Sequence, residues 1–195
     1  MDVAEDRPEM YTLRDRVTEF LLKRVEILLK HRDCIDGILV NDDWGTQVAL
    51  MIRPAHWRKV YKPAYAKIVQ AIKSGGLFAH LHTDGVTEPI MEDLIEIGFD
   101  ELNPQMSCMD IEEVGRRFGG RACFRADMDR QVTLPFGTPA EVEAYVQRLY
   151  DAFGRHNGGY IGYGQVGTDV SLANAEAMLA AFFRLRYPAP SGRAD

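Results

Sequence analysis

The sequence is poor in several things, and each scarcity removes a class of function. Three cysteines occur in 195 residues (Cys34, Cys108, Cys123), and no two stand in a Cys-x-x-Cys spacing. A disulfide framework and a thiolate zinc knuckle are thereby excluded, and free thiols in a reducing cytoplasm are expected. Positive charge is not in excess: 23 Lys and Arg against 29 Asp and Glu give a net charge of -6. Binding along a phosphate backbone needs a basic footprint, so nucleic acid is not an expected partner. No apolar run approaches the ~20 residues of a membrane-crossing helix, so no membrane partner is expected either. The opening MDVAEDRPEM is too acidic and polar for a signal or transit peptide. Internal repeats and low-complexity segments are also missing.

What remains has the composition of an ordinary globular domain, 46% hydrophobic and 27% charged. One domain is expected over 1–187, with a disordered tail at 188–195. Residues 9–32 repeat apolar side chains at helical spacing, with Asp6 as a cap and Pro8 in the first turn. Five short apolar runs follow at 37–40, 77–81, 99–103, 122–126 and 159–161, and each reads as a buried strand. Helical patterns separate them. The one at 53–73 contains Pro63, which predicts a kink or two abutting helices. The one at 88–97 closes on Gly98, and a short one begins at Asp110 with Glu113 in capping-box spacing. Thr138-Pro139-Ala140-Glu141 is a strong start signal for a helix to about 153, and a last helix starts after Ser171. Strict alternation implies a mainly parallel sheet with right-handed crossovers, compatible with an open sheet or a (β/α) barrel.

The polar residues fall at the ends of these strands: Asp42 and Asp43; His80, His82 and Asp84; Asn103 and Gln105; Asp127 and Asp129. Sites in parallel α/β folds form there, although Asp and Asn also stand after strands simply to cap helices and start turns. On an extended strand residues 80, 82 and 84 point to one side, and imidazoles with a carboxylate suit zinc or another divalent ion. The bland alternative packs His80 and leaves only His82 facing the site. Asp42 and Asp43 can supply a general base or anchor a polar substrate, and one of a carboxylate pair can have its pKa raised by the other. Adjacent strand residues face opposite ways, so only one of the two is expected to enter the site. Gly162-Tyr163-Gly164-Gln165-Val166-Gly167 spells a dinucleotide fingerprint, but a single helix remains after it and no βαβ unit can follow. A loop with close backbone approach is the better reading. No Ser-centred elbow is present.

The succession DDWGTQVALMIRP, HTDG, EDLIEIGFDELNPQ, DRQVTLPFGTPAEV, GGYI and the Ala-Asn and Ala-Glu-Ala-Met runs resembles the uroporphyrinogen decarboxylase superfamily from about Gly37 to Met178. The similarity is nearest to a branch of that superfamily marked by the DDWG run. The resemblance implies a (β/α) barrel of which this chain matches roughly strands four to eight, so the expected fold class is α/β: a partial TIM-type barrel of about five parallel β-α units preceded by a helix. Five strands cannot close an eight-stranded barrel, and open edges invite pairing. A fragment, a half of a split protein and a self-associating half-barrel are the alternatives, and the expected partners are another copy or an N-terminal half-barrel.

The resemblance also implies two activities. A decarboxylase-like lyase acting on a carboxylated substrate, a tetrapyrrole among the candidates, needs no cofactor. Asp43, Asp129 and His82 are its candidate catalytic residues, and Asp42, Trp44, Gln47, Asn103, Gln105 and Gln131 its substrate contacts. The arginine and aspartate groups that grip substrate carboxylates near the N-terminus of such enzymes have no match here, and their histidine in the last strand's loop falls near Gln165. The alternative is a metal-dependent methyltransferase serving a corrinoid protein, with zinc or another divalent metal on His82 and Asp84. There His82 matches the family's histidine, Asp84 stands in place of cysteine, and the later cysteine falls near Gln165 or Val166. A third expectation is a non-catalytic or truncated half-barrel subunit.

Overall fold

The computed structural model describes residues 2–156 and 158–185, so the expected tail at 188–195 lies outside the described residues. Two compact units divide the chain, Met1–Leu102 and Asn103–Asp195. The element order is a helix and then five strands alternating with helices, an open α/β sheet of parallel strands, as the sequence predicts.

In the first unit, α1 (Pro8–Leu29) carries Pro8 in its opening turn, where a missing N–H costs nothing. Its N-cap is Arg7, with no side-chain bond, so the expected cap at Asp6 is corrected. The Asp6 carboxylate is taken instead by the Tyr11 hydroxyl and the Lys59 ammonium. Strand β1 (Gly37–Asn41) pairs in parallel with β2 (Phe78–Thr83), placing Gly37 opposite Phe78 and Asn41 opposite His82. Between them the chain breaks at Tyr61 into α2 (Pro54–Val60) and α3 (Lys62–Ser74), with Pro63 in the first turn of the second helix. This is the abutment that the proline predicts. α3 buries Tyr65, Ile68, Val69 and Ile72 at helical spacing, and α1 packs on α3, burying Thr18 and Val25. α4 (Glu88–Ile97) ends on Gly98 at φ 101°, the left-handed conformation that glycine adopts without strain. Asp93 is buried on α4 and is held by Arg58 at 2.9 Å and Lys62 at 2.8 Å. Strand β3 (Glu101–Pro104) lies at the division between the units.

In the second unit, a 3-10 turn (Met106–Cys108) leads to α5 (Ile111–Phe118), whose first turn is capped by Asp110 accepting from the Glu113 amide. Strand β4 (Cys123–Asp127) pairs in parallel with β5 (Tyr160–Tyr163), Phe124 opposite Tyr160 and Asp127 opposite Tyr163. A short helix, α6 (Thr133–Phe136), has no periodic signal in the sequence, since four residues are too few to show one. α7 (Pro139–Phe153) forms the complete capping box of Thr138 and Glu141. α8 (Leu172–Arg184) is capped by Ser171 and packs on α7 around Met128, Leu134, Val142, Val146 and Met178. Among the described residues no helix is long and apolar enough to cross a membrane.

One buried amide ties α8 to α6. Asn174 is 3% exposed, and its Nδ2 donates to the carbonyls of Leu134 at 2.9 Å and Gly137 at 2.8 Å. Asn174→Ala leaves both acceptors without this donor and is expected to cost about 1–3 kcal/mol. The measurement is the urea midpoint, which should fall while the slope stays constant; an unchanged midpoint would mean that water replaces the amide freely.

Candidate functional site

The parallel register of β1 and β2 carries the chain ends of both strands into two loops that stay bonded to each other. The Asp42 amide donates to the His82 carbonyl at 3.1 Å, and the Gly45 amide to the Asp84 carbonyl at 3.0 Å. The Trp44 amide reaches Thr83 Oγ1 at 3.0 Å, and the Val86 amide the Thr46 carbonyl at 2.9 Å. The loops approach so closely that neither of the central residues can carry a side chain. A Cβ on Gly85 would stand 2.2 Å from the Gly45 carbonyl carbon, and one on Gly45 would stand 2.3 Å from the Val86 nitrogen. Gly85 also has φ +78°, which L side chains rarely adopt. The two motif glycines, of DDWG and of HTDG, are therefore the closest points of one joint.

That joint assembles three of the expected site residues. One ligand atom each from Asp43, His82 and Asp84 lies within 4.8 Å of the other two. His82 Nε2 is 3.7 Å from Asp84 Oδ1 and 4.0 Å from Asp43 Oδ1. The Asp84 amide donates to Asp43 Oδ1 at 2.9 Å, which fixes the Asp43 carboxylate against the second loop. One imidazole and two carboxylates form a donor set that fits a divalent cation, with less preference for zinc than thiolates would give. No cysteine belongs to the cluster: Cys34 is exposed, while Cys108 and Cys123 stand in the second unit. His80 does not join it either. Its Nδ1 meets the buried Glu101 carboxylate, and its ring covers Gly37, where a Cβ would come within 2.2 Å of Nε2. The packed alternative for His80 is the one observed.

Asp42 goes elsewhere. Its Oδ2 accepts from the Tyr65 hydroxyl at 2.6 Å, and that hydroxyl accepts from the Trp44 indole N–H at 2.8 Å. Burial of the carboxyl raises it above the ordinary aspartate value, the Tyr65 bond pulls it back, and the Asp43 charge adds to the rise. Burial also pushes Tyr65 well above the usual phenol value, with the Asp42 charge acting in the same sense. Trp44, expected as a substrate contact, is 6% exposed and packs among Trp57, Tyr61 and Tyr65, so its indole forms the wall behind the site. Gln47 is exposed on the loop beyond it. Tyr65 itself gives no functional signal in the sequence, because it lies on the apolar stripe of its helix.

The remaining candidates belong to the second unit. Asn103 is buried and donates to the Arg125 carbonyl at 2.5 Å; Gln105 is fully buried. Asp127 accepts from the Met106 amide at 3.2 Å. Asp129 accepts from the amides of Gln131, Val132 and Thr133 and from the Thr133 hydroxyl, at 2.9–3.2 Å. Burial raises its carboxyl, yet these four donors outweigh burial and hold it below the ordinary value. It is thus an ionised acceptor that nucleates α6, and the exposed Gln131 enters through its backbone. Two glycines of the dinucleotide-like run serve packing: Cβ atoms on Gly162 and Gly164 would strike Phe182 at 2.6 Å and Met178 at 2.3 Å on α8.

The sequence profile described as uroporphyrinogen decarboxylase (URO-D) matches residues 3–185, which extends the similarity through α1. No curated protein matches the chain. Among solved structures it is similar to a methyltransferase from Methanosarcina mazei, with a TM-score of 0.67 and 18% identity over 87% of this chain. The chain spans about half of that structure, 48% of its length.

The Asp42 environment has a definite pH signature. A carboxyl raised on folding contributes stability that is full below its unfolded value, near 3.8, and lost as pH rises through the folded value. Asp42→Asn should therefore gain in thermal midpoint over the native protein at pH 7 and lose that gain near pH 3. Tyr65→Phe removes the one bond that lowers the group, so the Asp42 carboxyl carbon should titrate at higher pH still in an NMR series. A downward shift would contradict the assignment. Gly85→Ala should cost about 1–3 kcal/mol for the left-handed backbone alone, read as a lowered thermal midpoint.

Proposed function

The chain belongs to the uroporphyrinogen decarboxylase family, and from that premise we propose a metal-dependent methyltransferase of this family, exchanging a methyl group with a corrinoid protein. The observation that carries this reading is the convergence of Asp43, His82 and Asp84 within 4.8 Å. The fold likeness to a methyltransferase supports it as well. A divalent cation held by those three side chains would supply Lewis acidity to the heteroatom that carries or receives the methyl group.

The chain's own residues do the rest. The Asp84 amide keeps Asp43 turned toward His82. Thr83, between His82 and Asp84, is buried and accepts from the Trp44 amide, which holds the end of β2 against the first loop. Asp42, raised above the ordinary aspartate value by burial, is the carboxyl placed to exchange the proton that a released heteroatom takes up. The Trp44 and Tyr65 rings exclude water from one side of that carboxyl.

A second reading is favoured by Asp42 alone. In a decarboxylase, carbon dioxide leaves, the bonding pair stays on carbon, and a carboxyl with a raised pKa delivers the proton that quenches it. That chemistry needs no metal.

Metal content separates the two. Folded native protein should carry about one divalent ion per chain by plasma mass spectrometry, and His82→Ala should lose it with an unchanged far-ultraviolet spectrum. Metal-free native protein that remains folded overturns the methyltransferase reading and leaves decarboxylation.

A further inference from the structure

Strand β1 leaves one side of its backbone unused. The Phe78 amide donates to the Asp36 carbonyl at 2.9 Å and the Asp42 amide to the His82 carbonyl at 3.1 Å. The even-numbered residues of this stretch therefore direct their amides and carbonyls toward β2. Successive residues of a strand turn these groups to opposite sides. Gly37, Leu39 and Asn41 thus direct theirs outward, where β1 is the last strand of the sheet and no described residue bonds them.

Against that edge lies a groove of about 470 Å³, lined on one side by the consecutive residues 38–42 and on the other by α1. Side chains alternate along a strand, so successive residues line one groove only when it follows the strand's open edge. The α1 wall is an apolar stripe of Leu13, Val17, Leu21, Val25 and Leu28, at spacings of four and three. Leu13 and Val17 are still 57% and 47% exposed. An occupant must therefore offer apolar side chains toward α1 and a row of donors and acceptors toward β1. A small apolar ligand would strip water from three amides and three carbonyls and return nothing to them. An extended backbone offers both.

We propose that β1 is a strand-addition site whose occupant is an extended segment of a different polypeptide, matching the 5 residues of β1. Its side chains alternate. Those turned toward α1 are apolar, and the others stand beside Leu39 and Asn41. Asn41 pairs with His82 in register, so this second set lies on the side of the sheet that carries His82. The β1 edge of a second copy does not fit, because its own α1 lines the same edge and two such edges cannot meet without displacing both helices. Every residue named belongs to the first unit, and the contact does not depend on the activity proposed above.

Selection of a displayed heptapeptide library on the immobilised full chain should return sequences that are apolar at every second position. The synthetic peptide so obtained should slow hydrogen exchange at the Gly37, Leu39 and Asn41 amides, read by NMR. Ile38 and Val40, already in the ladder with β2, should exchange as before. Leu39→Pro removes an outward N–H and no ladder bond, a change that edge strands accept. It should keep the native circular dichroism and lower peptide affinity by roughly tenfold. Leu13→Glu, at an exposed position of the groove wall, should lower it comparably and serves if the proline variant does not fold. A selection without period-two sequences, unchanged exchange at the three outward amides, or undiminished binding to the folded variants overturns the proposal. Laurate that binds the groove where no selected peptide does also overturns it, and makes the groove a small-molecule site. A native chain of twice the monomer mass by light scattering, returned to monomer by Leu39→Pro, overturns it in favour of a second copy.

Discussion

Two glycine backbones in contact are the constraint on which the candidate centre depends. Gly45 and Gly85 sit where the loops after β1 and β2 touch, and a single added carbon on either would strike main-chain atoms. Because main chain meets main chain there, the loops share at least five hydrogen bonds and are held to each other. Asp43 on one side and His82 with Asp84 on the other inherit that rigidity. Preorganisation of this kind lets a small cluster hold a ligand without ordering loops at the moment of binding.

Asp42 and Asp43 are neighbours in sequence and belong to different chemistry. The loop after β1 turns one toward the Tyr65 hydroxyl and the other toward His82. The first carboxyl is partly withdrawn from water and raised; the second is open to solvent and close to a potential ligand set. Two environments one residue apart thus separate a carboxyl raised by burial from one whose oxygen lies within 4.8 Å of donor atoms of His82 and Asp84. Asp129, in the second unit, shows the opposite balance, since four donors keep it ionised although it is buried.

Much of the fold was legible because its signals are local. The Thr138 capping box, the Gly98 stop and the break near Pro63 each depend on a few consecutive residues, and each is found where those residues place it. Asp6 misled because a cap needs a specific backbone angle, and its carboxylate found stronger partners in Lys59 and Tyr11. The short helix at Thr133–Phe136 was invisible because a side chain four residues upstream, Asp129, nucleates it. For the site, period-two alternation indicated that His82 and Asp84 share a side, but it also offered His80. Only the pairing with Glu101, across strands, removes it. Tyr65 could not be found at all from its stripe of apolar neighbours, since the bond to Asp42 joins positions 23 residues apart.

The sequence contains two tryptophans, and both stand in the Met1–Leu102 unit, edge to face with ring centres 5.9 Å apart. Trp57 is wholly buried, and the indole N–H of Trp44 ends on the tyrosine that holds Asp42. Indole emission from this chain is therefore a private optical channel. It reports the polarity around one carboxyl and the integrity of one unit, while the other unit, with tyrosine and phenylalanine only, stays dark in it.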